Sequence, residues 1–169
     1  YNAKACIALI EQAAARGVKV LTFPELVLTG ATCGDLFYQD TLIRGAEEAL
    51  NQVLEATAEL DMLIAIGLPV RGEWDSKLYN CAAVINRGKI LGVIPKSFIP
   101  NYGEFSEGRC FGPAPEEDRG WTVTLAGQTV AFSTHQYFVC QTVPNLIVGV
   151  EICEDLWRPV SPSVKLAHV

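Results

Sequence analysis

Val18-Lys19-Val20-Leu21-Thr22-Phe23-Pro24-Glu25 is a short apolar, β-branched run closed by a proline and a carboxylate. It reads as a buried strand with an acid at its end. Before it, residues 2–16 read as an amphipathic helix with Cys6, Leu9, Ile10, Ala13 and Ala14 on one face and Gly17 as its stop. After it, residues 29–39 are loop-like, with Gly30 and Gly34. A second helix runs from about residue 41 to 60, with Ile43, Ala46, Leu50, Val53, Leu54 and Leu60 in helical register.

Further out the pattern turns to strands. Residues 62–70 form the next buried run, and 71–77 a polar loop. Residues 78–86 and 89–95 predict a hairpin around Arg87-Gly88. Residues 101–118 are irregular, with four glutamates, Pro113 and Pro115. Residues 122–125 and 129–133 flank Gly127-Gln128 as a second hairpin candidate. Residues 146–152 are the last clear strand. Pro162 fits the first turn of a terminal helix with Ser161 as its cap. Helix, strand, helix, strand, then consecutive strands predict an α/β layered fold with mixed sheet. There is no internal repeat, low-complexity tract or linker. The chain begins at Tyr1 and stops at Val169 inside what reads as a helix, which predicts a piece of a longer protein.

Composition narrows the function. The 169 residues are 50% hydrophobic, enough for one domain with its own core. A net charge of −6 argues against nucleic acid and anionic membranes as partners. No apolar run approaches the roughly 18 residues of a membrane span, and no signal-peptide pattern is present. The six cysteines are dispersed, with no C-x-x-C pair, so neither a structural zinc site nor a secreted disulfide scaffold is expected. A reducing cytoplasmic setting and no metal are the expectations.

Three strand-like runs end in reactive groups. Glu25 closes the first, Lys96 follows Ile90-Leu91-Gly92-Val93-Ile94-Pro95, and Cys153 follows Leu146-Ile147-Val148-Gly149-Val150-Glu151-Ile152. Each has an ordinary reading: a helix N-terminal carboxylate, a solvated lysine, a buried structural cysteine. Context favours chemistry. Cys153 sits at a strand-to-turn junction whose backbone N–H groups can meet an oxyanion. Glu154 and Asp155 beside it would raise its pKa, so it needs a neighbouring cation or base. Lys96, flanked by apolar Ile94-Pro95 and Phe98-Ile99, is expensive unless paired. Glu25 can take the thiol proton and return it to a leaving amine. Nucleophile, base and charge stabiliser make up a cysteine acyl-transfer site.

Phe23-Pro24-Glu25-Leu26, Pro95-Lys96 with Tyr102-Gly103-Glu104-Phe105, and Gly149-Val150-Glu151-Ile152-Cys153-Glu154-Asp155 resemble the three signatures of the nitrilase (carbon-nitrogen hydrolase) superfamily, in its order Glu, Lys, Cys. Thr32-Cys33-Gly34-Asp35-Leu36-Phe37 and Ile152-Cys153-Glu154-Asp155-Leu156-Trp157 are most similar to the glutaminase domains of glutamine-dependent NAD synthetases. The resemblance implies a nitrilase-like α-β-β-α sandwich with mixed sheets, here an incomplete carbon-nitrogen hydrolase domain over residues 1–169. It implies hydrolysis of the glutamine side-chain amide, with Cys153 as nucleophile, Glu25 as base and acid, and Lys96 as stabiliser of the tetrahedral intermediate. It implies Glu104 as the supporting second glutamate and Tyr102 and Glu154 as glutamine contacts. It also implies a homo-oligomer and an ATP-dependent synthetase domain as partner.

Two departures qualify this. Ala31 stands where the family often has an aromatic residue after Thr29-Gly30, which changes one wall of the pocket. Neither a Ser-Gly-Gly phosphate loop nor G-x-x-x-x-G-K-[ST] occurs, so no cofactor is expected in this chain and ATP and magnesium belong to the synthetase domain. A stand-alone amidase on another small amide or carbamoyl compound remains the alternative. A non-catalytic interaction domain is a third reading, and one with no need for all three reactive residues.

Overall fold

The apolar runs assemble into one four-stranded mixed sheet. In the computed structural model, which describes residues 1–168, its order is β1-β2-β3-β4. β1 (Val20–Thr22) lies parallel to β2 (Leu63–Arg71), and α2 (Asp40–Ala56) makes the crossover that a parallel pair requires. β2 pairs antiparallel with β3 (Leu78–Asn86), and β3 with β4 (Lys89–Pro95), with a register shift at Val84/Ile85. At the β3–β4 turn Arg87 and Gly88 have φ of 49° and 69°, the two positive values that a two-residue type I′ turn needs.

α1 (Asn2–Ala15) and α2 cover the sheet. Cys6 and Ile10 meet Leu50, Val53 and Leu54, and these pack on Ile64, Ile66, Leu68, Ala83 and Ile85. Each fully buried aliphatic side chain of this kind contributes about 1.5–3 kcal/mol. Three expectations change here. Leu9 is 53% exposed, because the buried stripe of α1 runs through Ala3, Cys6 and Ile10. β1 is an edge strand with Val20 half exposed, not a buried one. α2 ends at Ala56 rather than near residue 60, because the buried Thr57 hydroxyl donates back to the Val53 carbonyl (2.8 Å) and closes the helix.

The rest of the chain wraps the sheet. β5 (Thr122–Leu125) and β6 (Gln128–Ala131) form the second expected hairpin, turning at Ala126 and Gly127 with φ of 47° and 73°. Phe132 then bridges to Val93, and the Ser133 N–H donates to the Val93 carbonyl, which fastens the hairpin to β4. β8 (Ile147–Gly149) is shorter than expected and pairs with β7 (Tyr137–Val139), which the sequence did not predict. Residues 150–152 therefore leave the ladder before reaching Cys153. α3 (Pro162–Leu166) starts with Pro162, but the Ser161 hydroxyl bonds to that of Ser163 (2.7 Å) instead of capping the helix. The expectation that a helix continues through Val169 falls on a residue outside those described. Among the described residues no helix is long and apolar enough to cross a membrane.

Candidate active site

The turn after β1 lies directly on β2, and a single glycine permits it. A Cβ at Gly67 would stand 2.4 Å from the Leu26 nitrogen and 2.8 Å from the Pro24 carbonyl oxygen. Only a bare backbone lets Glu25 approach the sheet this closely. Leu26, the next residue, has φ of 52°. Cys153 has φ of 49°, again outside glycine. Left-handed backbone at two non-glycine residues of one cleft is strain that the surrounding structure must hold in place, a recurrent mark of functional sites.

Lys96 stands at the centre. Its side chain is fully buried, and its ammonium lies 2.5 Å from Glu25 Oε1 and 2.9 Å from Glu107 Oε2. The Lys96 N–H donates to the Asn80 carbonyl (2.8 Å), which fixes its backbone to β3. Burial works against the charge, but the hydrogen bonds to Glu25 and Glu107 outweigh it. The ammonium therefore titrates above the ordinary lysine range and is charged at neutral pH. Asn80 Nδ2 donates to the same Glu25 oxygen at 2.6 Å. Glu25 Oε1 thus holds two donors.

Cys153 opens a short 3₁₀ turn, Cys153–Trp157, and its residue is exposed at the cleft. A cavity of about 290 Å³ is lined by Phe23, Glu25, Gly67, Cys81, Val150 and Cys153, so thiol and carboxylate face one space. Burial of the sulfur pushes the thiol above the ordinary cysteine range. The Glu25 charge adds to this, and the Lys96 ammonium opposes it. A thiol poised this way is not a standing thiolate at neutral pH, and only a base could make it a nucleophile. A cavity of about 400 Å³ between β8 and α3 is lined by Glu151 and Ser163, and by none of Glu25, Lys96 and Cys153.

Glu25, Lys96 and Cys153 are therefore brought together. Tyr102 and Glu154 also meet: the Tyr102 hydroxyl donates to Glu154 Oε2 at 2.7 Å, and Arg158 pairs with Glu154 Oε1 at 3.5 Å. Glu154 is buried, while Tyr102 is 57% exposed. Glu104 stands apart. It is exposed and makes none of the described side-chain hydrogen bonds, and Glu107 holds Lys96 instead. The physical reason lies in the 3₁₀ turn Glu107–Arg109. Arg109 pairs with Asp35 at 2.7 Å, and Phe111 packs edge-on against Phe37 at 4.8 Å, so Glu107 turns inward.

Sequence reasoning missed Glu107 and Asn80. Asn80 had a signal: it is a lone polar residue inside the apolar strand β3, and buried amides need partners. Glu107 had none beyond membership of a glutamate-rich stretch. The two glutamates are expected to separate cleanly. Glu107→Gln should lower turnover about 10- to 100-fold, the scale of one charged hydrogen bond, while Glu104→Gln should leave it within about twofold. Steady-state kinetics of the two variants decide; a larger effect at Glu104 would reverse the assignment.

The described residues contain no group of three or more His, Cys, Asp or Glu placed to hold a metal ion. What they do contain is a thiol at a strained turn, a carboxylate beside it and a buried ammonium, on an α/β fold with a mixed sheet. The family model described as "Carbon-nitrogen hydrolase" matches residues 1–166, and the chain belongs to the carbon-nitrogen hydrolase family.

Among its relatives is the glutamine-dependent NAD(+) synthetase of Mycobacterium tuberculosis, 40% identical over 151 residues, which span 89% of this chain and 22% of that protein. That of Thermotoga maritima is 34% identical over 166 residues, 98% of this chain and 25% of the relative. The chain thus spans about a quarter of the length of these curated relatives. The crystal structure of a glutamine-dependent NAD(+) synthetase from Cytophaga hutchinsonii superposes with a TM-score of 0.72 at 29% identity, over 90% of this chain and 25% of that one. A nitrilase-superfamily amidase from Nesterenkonia superposes at 0.54 and 18% identity, over 77% of this chain and 47% of that one, a likeness of fold.

Proposed function

We propose that this chain is the glutaminase portion of a glutamine-dependent NAD synthetase, and that it releases ammonia for a separate ATP-dependent domain. The observation that carries this reading is the convergence of Cys153, Glu25 and Lys96 on one cleft. The similarity to named NAD synthetases supplies the substrate.

In this reading Glu25 takes the thiol proton as Cys153 Sγ attacks the side-chain amide carbon of glutamine. A C–S bond forms, and the carbonyl becomes an oxyanion that the Lys96 ammonium stabilises. Glu25 then returns the proton to the amide nitrogen, the C–N bond breaks, and ammonia leaves a thioester. Water attacks the thioester with Glu25 taking its proton, the C–S bond breaks, and Glu25 gives the proton to the departing sulfur, which releases glutamate and the free thiol. Glu107 and Asn80 hold Lys96 and Glu25 in place. The Glu154 carboxylate, next in sequence to Cys153 and bonded to Tyr102, is the acidic group that would receive the α-ammonium of an amino acid. A cytoplasmic setting follows from this metabolism.

The test uses the full-length protein. A glutamine-analogue electrophile should label Cys153 at neutral pH, and glutamine should protect against it. Iodoacetamide, which carries no amino-acid group, should alkylate Cys153 with a pH midpoint above that of an ordinary thiol. Labelling elsewhere, or labelling that glutamine does not slow, would remove glutamine as the substrate.

A further inference from the structure

Asp155 belongs to the turn that carries Cys153, yet its carboxylate reaches far outside that turn. It is 1% exposed. Oδ1 accepts the Phe98 N–H at 2.8 Å and the Ser97 N–H at 3.0 Å, and Oδ2 accepts the Ile152 N–H at 3.2 Å. Ser97 directly follows Lys96, and Ile152 directly precedes Cys153. One buried carboxylate therefore ties the neighbour of the cation to the neighbour of the nucleophile.

A plainer role would be local. Asp155 lies in the first turn of Cys153–Trp157, where a carboxylate meets free N–H groups. That role accounts for Ile152 but not for Ser97 and Phe98, which sit 58 and 57 positions away in sequence. The other side of Lys96 is already fixed, through its N–H to the Asn80 carbonyl. What remains to be set is the separation between the Lys96 segment and the Cys153 turn. These are the two segments that must hold still relative to each other if an oxyanion is to form between them.

We infer that Asp155 is a positioning residue: it sets the placement of Lys96 against Cys153 by clamping Ser97 and Phe98 to Ile152. It touches neither substrate nor reacting atoms. Burial raises its own pKa, and the three N–H groups oppose this, so the clamp is strongest with the carboxylate ionised. In Asp155→Asn the amide can accept from one side only, and its NH2 then faces a backbone N–H on the other. One of the two segments must let go.

The inference rests on the glutaminase reading for its kinetic arm, so the test has a second arm that needs no substrate. In the full-length protein, Asp155→Asn is expected to lower kcat for glutamine about 10²-fold, the effect of an ångström-scale misplacement, with KM changed less than about threefold. The second arm is the pH midpoint for iodoacetamide alkylation of Cys153. The charges facing that thiol are Glu25, Lys96 and Glu107. Removing a nearby negative charge alone would move the midpoint down. Releasing the Lys96 segment removes the cation that holds the thiol down, and moves the midpoint up.

An upward shift in Asp155→Asn supports the clamp whether or not glutamine is the substrate. Asp155→Glu keeps the charge and lengthens the side chain, so it should shift the midpoint the same way if the asparagine variant does not fold. A downward or absent shift would overturn the inference, as would unchanged kcat per active site with only a lower Tm. Failure of both variants to fold would also overturn it, since Asp155 would then be a folding residue. Loss of glutamine turnover in the unmodified protein, with the shift intact, would sink the glutaminase reading alone.

Discussion

Cys153→Ala should abolish glutamine hydrolysis by the full-length protein, a loss on the order of 10⁶ in kcat where nucleophile and base act as a unit. Stability should hardly move. The Cys153 residue is exposed, and its sulfur fills no core space, so alanine removes one atom from the cleft and leaves no cavity in the packing. The φ of 49° is no harder for alanine than for cysteine. Ammonia-dependent synthesis by the partner domain should largely survive, because free ammonia enters after the thioester step. The two rates measured on one folded preparation give the answer. Equal loss of both would end the proposed division of labour.

Lys96→Met has the second largest expected effect, and here the structure changes what the residue type leads one to expect. A lysine at the rim of a pocket could lose its ammonium at little cost to stability. Lys96 is instead fully buried between Glu25 and Glu107. Methionine keeps most of the apolar stem but leaves two carboxylates facing each other with no counter-charge. Breaking such a pair costs about 3–5 kcal/mol, and the lower end applies because both carboxylates keep some water. Loss of the oxyanion stabiliser should reduce kcat by a further 10²–10³, about 3–4 kcal/mol of barrier. Lys96→Arg should rescue poorly, since a planar fork does not fit a point-charge site closed by two carboxylates and Asn80. Thermal melting and steady-state kinetics separate the two effects. A folded Lys96→Met protein with near-normal kcat would return Lys96 to a structural role.

Much of this architecture was legible in the sequence where a local rule leaves one solution. The Arg87-Gly88 turn needs two residues at positive φ between strands and lies where the pattern puts it, whereas the second hairpin turns at Ala126-Gly127, one residue before the expected Gly127-Gln128. Glu25, Lys96 and Cys153 share the position after an apolar run, and such runs end at the cleft. What was not legible depends on long-range contact. Nothing in Val20-Leu21-Thr22 says that β1 is an edge strand, since exposure there depends on what pairs beyond it. The three residues Tyr137–Val139 carry too little pattern to mark β7. The choice between Glu104 and Glu107 rests on Arg109 finding Asp35 and Phe111 finding Phe37, across more than seventy positions.

The two donors on Glu25 Oε1 have a consequence for the order of events. Lys96 and Asn80 occupy one oxygen, so in the proposed cycle the other oxygen, Oε2, is left for every proton Glu25 carries. The thiol proton arrives there, the leaving amide nitrogen is protonated from there, and the hydrolytic water is deprotonated there. Departing ammonia and incoming water therefore share one doorway and must take turns in it. Water cannot be deprotonated until Glu25 has given its proton to the leaving nitrogen, so the timing of hydrolysis is written into one carboxylate.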